Sequence, residues 1–249
     1  MKTRSQIALV LASLTVFTVA LAFNIDGRRW ENGTTVVHVG LTGTSSSGKG
    51  WATTFKNAMA KWSSGTAFTF VANDTYIDPC TGVYIGAGKG DAYNSIDFRV
   101  DVCGNSFGKN VLAITLSISA AGSLGYSNIT QSDIIFNNNL SWDVYDGPSR
   151  SSYDFGRAAL HELGHAIGLD HEQLAPAIMA PQISSLSALQ TDDVNGANAL
   201  YAASTDCLIT NISNNAAIRN QLGTGDCQIR DLFKGSNDTS FVDAYRIHL

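Results

Sequence analysis

The pattern of apolar and polar positions along the chain predicts several β-strands. Alternating apolar residues and β-branched residues, which are typical of half-buried strands, occur in residues 34–41, 66–71, 95–100, 112–118 and 133–136. In the third of these segments, Ile96, Phe98 and Val100 share one side of the strand. We expect that side to be buried in the core.

A helix is predicted between the first two of these strands. In residues 49–63, Trp51, Phe55, Met59 and Trp62 recur at the spacing of one helix face. Such an aromatic stripe is more often core than a ligand-binding surface. The alternation of strands and helices predicts an α+β domain in which helices pack on a twisted sheet.

The N-terminus has the pattern of an export signal. Lys2 and Arg4 precede a run of apolar residues that ends in Ala20-Leu21-Ala22, an A-x-A cleavage pattern. The run, residues 7–22, is short for a membrane span of about 20 residues, although an uncleaved anchor is the alternative. We therefore expect residues 1–22 to be removed from a secreted protein that begins at Phe23.

Composition and charge exclude several classes of protein. Charged residues make up 15% of the 249 residues and apolar residues 44%, which excludes collagen, coiled coil and long charged disorder. Loss of Lys2 and Arg4 with the signal would take the formal net charge from −5 to −7. This acidic balance disfavours nucleic acid and anionic membrane as partners.

Four cysteines in an exported chain predict disulfides rather than reactive thiols. Their spacing matches no zinc ribbon. Three connectivities exist, and we favour the local pairs Cys80–Cys103 and Cys207–Cys227 because each pair encloses one loop-rich stretch.

One short segment carries the candidate chemistry. Residues 161–171 spell H-E-x-x-H-x-x-G-x-x-H, and Asp154 is a suitable N-cap for a helix that leads into them. On a helix His161 and His165 project from one face, and Gly168 permits a sharp turn that would return His171. Three histidine ligands leave a zinc ion one open position, which is typical of catalytic zinc.

Glu162 follows the first of these histidines and is the candidate catalytic residue. We expect it to act as general base on a zinc-activated water that attacks a peptide carbonyl, and then to protonate the departing amine. The two other histidines of the chain, His38 and His248, have no partners at ligand spacing.

At these residues the sequence resembles the metzincin zinc endopeptidases, and within them the matrixins, the matrix metalloproteinase family. Met179, eight residues after His171, lies in a segment similar to the family's Met-turn, and residues 190–202 are similar to its last helix. Glu172, directly after the third histidine, is also a point of resemblance to the astacins. Their Met-turn, however, lies much further along the chain. The resemblance extends loosely from Trp30 and strongly from Asp133 onward.

The resemblance implies a metzincin fold over residues 23–203. That fold is a twisted, mostly parallel sheet with an antiparallel edge strand, an active-site helix, a Met-turn and a C-terminal helix. The edge strand, which would hold an extended peptide substrate, corresponds to Leu112, Ala113, Ile114 and Thr115. The resemblance also implies a preference for an apolar side chain just after the scissile bond.

The resemblance further implies one catalytic zinc ion and leaves calcium open. The family's second zinc is expected to be absent because Ile114 and Thr115 stand where a ligand should be. A family calcium site would fall on Asn137-Asn138-Asn139, whose uncharged oxygens favour weaker binding. A second calcium loop would use four aspartates, for which surface solvation is the alternative role: Asp78, Asp91, Asp97 and Asp101.

Residues 204–249 lie beyond the resemblance. They would form either a small disulfide-stapled appendage or the start of a longer domain, and the alternation over residues 241–249 predicts a strand. The whole sequence predicts a secreted, monomeric zinc endopeptidase that acts on peptides or proteins. The alternatives are a non-proteolytic zinc- or protein-binding module and a scaffold stabilised by metal.

Overall fold

The computed structural model describes residues 23–81, 90–122, 126–202, 209–212, 227–228, 241–242 and 244–247. Up to residue 202 its elements are β1 Arg28–Arg29, β2 Thr34–His38, α1 Trp51–Gly65, β3 Thr69–Asn73, β4 Ile96–Arg99, β5 Ala113–Ala120, β6 Ser127–Asn137, β7 Trp142–Asp143, β8 Tyr153–Asp154, α2 Phe155–Ala166 and α3 Thr191–Tyr201. The C-terminal elements are β9 Ile209–Ile212, β10 Cys227–Gln228, β11 Phe241–Val242 and β12 Ala244–Ile247.

The main sheet is mostly parallel, with one antiparallel strand at its edge. β4 and β1 both run parallel to β6, and β5 runs antiparallel along the other side of β6. β2 and β3 form a parallel pair, and a bridge joins His38 of β2 to Ser95, the residue before β4. The α+β architecture predicted from the sequence is confirmed, including its antiparallel edge strand.

The core lies between the sheet and the helices α1 and α2, which also pack against each other. Phe55, Met59 and Trp62 of α1 are buried, which confirms the aromatic stripe predicted for this helix. The Trp62 indole N–H donates to the carbonyl of Leu160, 2.9 Å away, and so ties α1 to α2. This contact fixes α2, the helix that carries the candidate motif, against the core.

The predicted strand boundaries are partly wrong. Val100 was expected to share a buried face with Ile96, but β4 ends at Arg99 and Val100 is 62% exposed. The segment predicted as residues 133–136 is the end of a longer strand, since β6 begins at Ser127. Side-chain alternation does not show where pairing with a neighbouring strand stops, so the ends are set by tertiary contacts.

Cys80 and Cys103 form a disulfide, which confirms the first predicted pair. The expected signal at residues 1–22 and Cys207 lie outside the described residues, so the pair Cys207–Cys227 stays a prediction.

The predicted C-terminal strand is present as β11, paired with β10, and β12, paired with β9. Within the described ranges, no helix has both the length and the apolar composition needed to cross a bilayer.

Candidate metal centre and cleft

Helix α2 begins where the sequence predicts. The side chain of Asp154 accepts the backbone N–H of Arg157 at 2.8 Å, as an N-cap does, and its second oxygen accepts the N–H of Tyr145 at 2.7 Å. His161 and His165 then lie one helical turn apart on the same face of α2.

Gly168 turns the chain back after α2. It has a φ of +98°, and a Cβ atom at this position would lie 2.2 Å from the carbonyl oxygen of Arg28. Only glycine meets both requirements, because L side chains are disfavoured at positive φ and this site has no room for one. The turn brings His171 back to the two histidines of α2.

Replacing Gly168 with alanine should lower the free energy of unfolding by at least about 2 kcal/mol, from the positive φ and the clash together. Differential scanning calorimetry should show this as a drop in Tm of about 5 °C or more. The matched control is Gly104→Ala, where φ is +90° but a Cβ atom meets nothing within 4 Å. Equal losses in the two variants would contradict the close approach to Arg28.

The three histidines form a site of the size that one metal ion requires. Their Nε2 atoms are separated by 3.1 Å (His161–His165), 3.2 Å (His165–His171) and 3.3 Å (His161–His171). Tetrahedral ligands about 2.0–2.1 Å from a zinc ion lie about 3.3–3.4 Å apart, so these separations fit zinc closely. In the part of the chain that the structure describes, this is the only group of three or more His, Cys, Asp or Glu side chains close enough to hold a metal.

Hydrogen bonds made by the Nδ1 atoms of His161 and His165 determine that their Nε2 atoms carry lone pairs. His161 Nδ1 lies 2.7 Å from the carbonyl oxygen of Ile178, and His165 Nδ1 lies 2.8 Å from that of Leu169. A carbonyl can only accept, so each Nδ1 carries the proton and each Nε2 is left with a bare lone pair. Two such lone pairs 3.1 Å apart repel each other unless a cation lies between them.

Burial keeps these imidazoles neutral. It lowers the pKa of His161 to about 4 and shifts the pKa of His165 in the same direction. A metal ligand must offer an unprotonated nitrogen, so the lowered pKa values suit metal binding at neutral pH.

Glu162 is buried beside the histidines and hydrogen-bonded to the edge strand. The Thr115 hydroxyl donates to Glu162 Oε2 at 2.6 Å. Burial raises the pKa of Glu162, and the hydrogen bond from Thr115 opposes that shift. A carboxylate with a raised pKa is a stronger base, and Thr115 fixes which way it points.

Met179 packs against α2, the helix that carries His161 and His165. It lies in a turn closed by the N–H of Ala180 donating to the carbonyl of Ala177, and it is buried. Its sulfur packs against Gly164, where a Cβ atom would lie only 2.2 Å away. The carboxylate of Asp193, at the start of α3, accepts the backbone N–H groups of both Ile178 and Met179 and so fixes the turn.

The edge strand borders the same cleft as the histidines. A cleft of about 870 Å³ is lined by Leu112, Ala113, Ile114 and Thr115 together with His161, Glu162, His165 and His171. Ala113 to Thr115 belong to β5, whereas Leu112 precedes it. The residues predicted from the sequence as metal ligands, base and substrate strand are therefore brought together in one cleft.

The calcium candidates are not gathered into a comparable group. Each aspartate has other partners instead: Asp78 pairs with Arg99, Asp97 accepts from Tyr76, and Asp91 and Asp101 accept backbone N–H groups within their own loops. The Asn137 side chain bonds to its neighbour Asn139 and to the carbonyl of Val111.

The sequence pattern of the Matrixin family matches residues 29–202 of this chain. The chain belongs to the matrixin family. This match confirms the resemblance seen in the sequence.

Two relatives of this matrixin are named as metalloendoproteinases. Metalloendoproteinase 4-MMP of Arabidopsis thaliana is 27% identical over 181 residues, which are 67% of this chain and 47% of the relative. Metalloendoproteinase 1 of Glycine max is 39% identical over 64 residues, 24% of this chain and 21% of the relative. The matrixin thus spans less than half the length of either curated relative.

Sequence reasoning did not find every residue of this matrixin's site. The sequence predicts Thr115 as part of the substrate strand but not its hydrogen bond to Glu162, and it predicts no role for Arg157, which lines the cleft. Asp193 falls in the segment that is similar to the family's last helix, but the sequence does not predict its hydrogen bonds to the turn at Met179. No local spacing signals these roles, because each depends on a contact with a distant segment.

Proposed function

We propose that this matrixin is a secreted, zinc-dependent endopeptidase. One observation carries the proposal. Three histidine Nε2 atoms at zinc-binding separation and a buried Glu162 carboxylate meet in a cleft bordered by the edge strand β5. The names of the two relatives and the family's chemistry support the same activity.

In this proposal His161, His165 and His171 hold the zinc ion. The ion would lower the pKa of a water molecule and polarise the peptide carbonyl. The carbonyls of Ile178 and Leu169 keep two of these rings in the tautomer that presents Nε2.

Glu162 would accept a proton from the attacking water and deliver it to the departing amine. The Thr115 hydroxyl holds its carboxylate in place, and burial strengthens it as a base. A module that only bound zinc or protein would need the histidines but would have no use for a buried base.

The substrate would lie extended along β5. Among the described strands β5 pairs only with β6, which leaves its other side to form main-chain hydrogen bonds with a peptide. Because the histidines line the same cleft, a peptide held there would present a carbonyl to the metal site.

Chelation provides the direct test. Removing metal from the purified mature protein should lower cleavage of casein and of a fluorogenic peptide by about a hundredfold or more, and equimolar zinc should restore it. Undiminished cleavage by the metal-free protein would contradict the proposal. Zinc binding without any cleavage would favour the binding module. Loss of Tm on chelation without cleavage would favour the scaffold.

The proposal that the protein is secreted rests on the export-signal pattern of residues 1–22. N-terminal sequencing of the exported protein should give Phe23 as its first residue, as the A-x-A pattern predicts.

A further inference from the structure

Asn137, the last residue of β6, is a buried polar residue that contacts the two residues before β5. Its backbone N–H donates to the carbonyl of Leu112 at 2.9 Å, and its own carbonyl accepts the indole N–H of Trp142 at 2.9 Å. Its side-chain Nδ2 donates to the carbonyl of Val111 at 2.9 Å, and its Oδ1 accepts the backbone N–H of Asn139 at 3.1 Å. Each polar atom of Asn137 therefore has a partner.

The orientation of the Asn137 amide is fixed by its neighbours. A backbone N–H can only donate, so the side-chain atom that faces the N–H of Asn139 must be the oxygen. The side-chain Nδ2 of Asn139 also donates to this oxygen at 2.9 Å, and it donates to the carbonyl of Val100 at 2.8 Å. The NH2 group of Asn137 is therefore the end that faces Val111, and the two amides together join the two ends of the loop between β4 and β5.

The hydrogen bond of Leu112 determines which backbone groups of β5 face the cleft. In an antiparallel pair, the N–H and C=O groups of successive residues point alternately toward the neighbouring strand and away from it. The carbonyl of Leu112 points to β6, so the backbone groups of Ala113 point away from β6. Ala113 lines the cleft, and its N–H and C=O are therefore placed to pair with an extended peptide.

Val111 interrupts this alternation. A regular strand would turn its backbone groups to the cleft side, as it does those of Ala113. Instead, the carbonyl of Val111 accepts from the Asn137 side chain, and its N–H donates to the carbonyl of Gly108 at 3.2 Å. Both groups are thus used within the protein, which leaves Ala113 as the first residue of the strand that can pair with a peptide.

We propose that Asn137 is a positioning residue for substrate binding: its side-chain amide fixes the residue at which the substrate strand begins, and with it the register of the bound peptide. This inference rests on the proposed function, in which the peptide lies along β5. Asn137 is not among the residues that line the cleft, so it acts through Val111 and Leu112. Without this donor the carbonyl of Val111 would be free to offer a peptide a second register, displaced by two residues of β5.

The test combines Asn137→Asp with a scan of the peptide backbone. Aspartate has the same size and still accepts from Asn139, but it cannot donate to Val111. The probes are labelled peptides in which one ester replaces one amide, so that each lacks one main-chain N–H. Fluorescence anisotropy with the zinc-loaded Glu162→Gln protein should show binding weakened about fivefold by the ester that pairs with Ala113. Adding Asn137→Asp should reduce this ratio to about one.

Two further variants complete the design. Asn138→Asp is the matched control, because Asn138 is exposed and the substitution makes the same change of charge one residue away. It should keep the ester ratio of about five. Asn139→Ala serves if Asn137→Asp does not fold, since Asn139 is also exposed and its loss removes one of the two donors to the Asn137 oxygen. It should give a ratio between those of the parent protein and Asn137→Asp.

The outcomes separate this inference from the proposed activity. If the wild type cleaves no peptide but the ester ratio falls in Asn137→Asp, the endopeptidase proposal fails and the positioning role stands. An unchanged ester ratio in Asn137→Asp or Asn139→Ala would overturn the role. So would equal binding of all ester and amide peptides by the parent protein. A loss of Tm and a uniform weakening of every peptide, with an unchanged ratio, would show that Asn137 only stabilises the loop.

Discussion

Replacing Glu162 with glutamine should lower kcat for peptide cleavage by between about a hundredfold and ten-thousandfold, the range that one general acid–base group contributes. Glutamine keeps the size of the side chain and can still accept the Thr115 hydroxyl, but it cannot take up a proton from water. Bound zinc and Tm should therefore change little, and the loss should fall on kcat rather than on KM.

The measurement is steady-state cleavage of a fluorogenic peptide, with zinc content and Tm determined on the same preparations. Glu31→Gln is the matched control, because Glu31 is exposed and does not line the cleft. Its kcat should equal that of the wild type. If Glu162→Gln kept the wild-type kcat, Glu162 would not be the base and the proposed chemistry would be wrong.

Replacing His171 with alanine should remove both the bound metal and the activity. We expect one zinc ion per chain in the wild type and almost none in the variant after dialysis, because two nitrogens bind zinc far more weakly than three. Zinc at about a hundred times its Kd stabilises a protein by about 2.7 kcal/mol, so zinc should raise the Tm of the metal-free wild type but not that of the variant.

Elemental analysis and scanning calorimetry, each with and without added zinc, measure these two effects. His248→Ala is the control, since this histidine has no partner at ligand spacing in the sequence. It should keep the full zinc content. A His171→Ala protein that retained one zinc ion per chain would show that the metal is held elsewhere.

Much of the fold and of the candidate site could be predicted because its signals are local. The spacing of His161 and His165, the N-cap at Asp154 and the sharp turn at Gly168 are each specified by a few neighbouring residues. The aromatic stripe of α1 is of the same kind. Such features depend on backbone geometry that every helix shares, and the structure agrees with them.

Other features could not be predicted because they depend on pairing between distant segments. Val100 continues the alternation of β4, yet it is exposed because that strand stops pairing at Arg99. The residues of β6 before Asp133 gave no clear strand signal, but pairing with β5 and β1 extends the strand to Ser127.

The sequence by itself determined the metal ligands' spacing, the identity of the candidate base and the family of the chain, because these lie in short motifs read along one helix and one turn. Only the tertiary structure decided that Thr115 bonds to Glu162 across 47 positions, that Asp193 fixes the turn at Met179, and that the Nε atom of Arg157 is buried without a hydrogen-bond partner among the described residues. The physical reason is that side-chain partners and burial depend on the path of the whole chain, which local spacing does not specify.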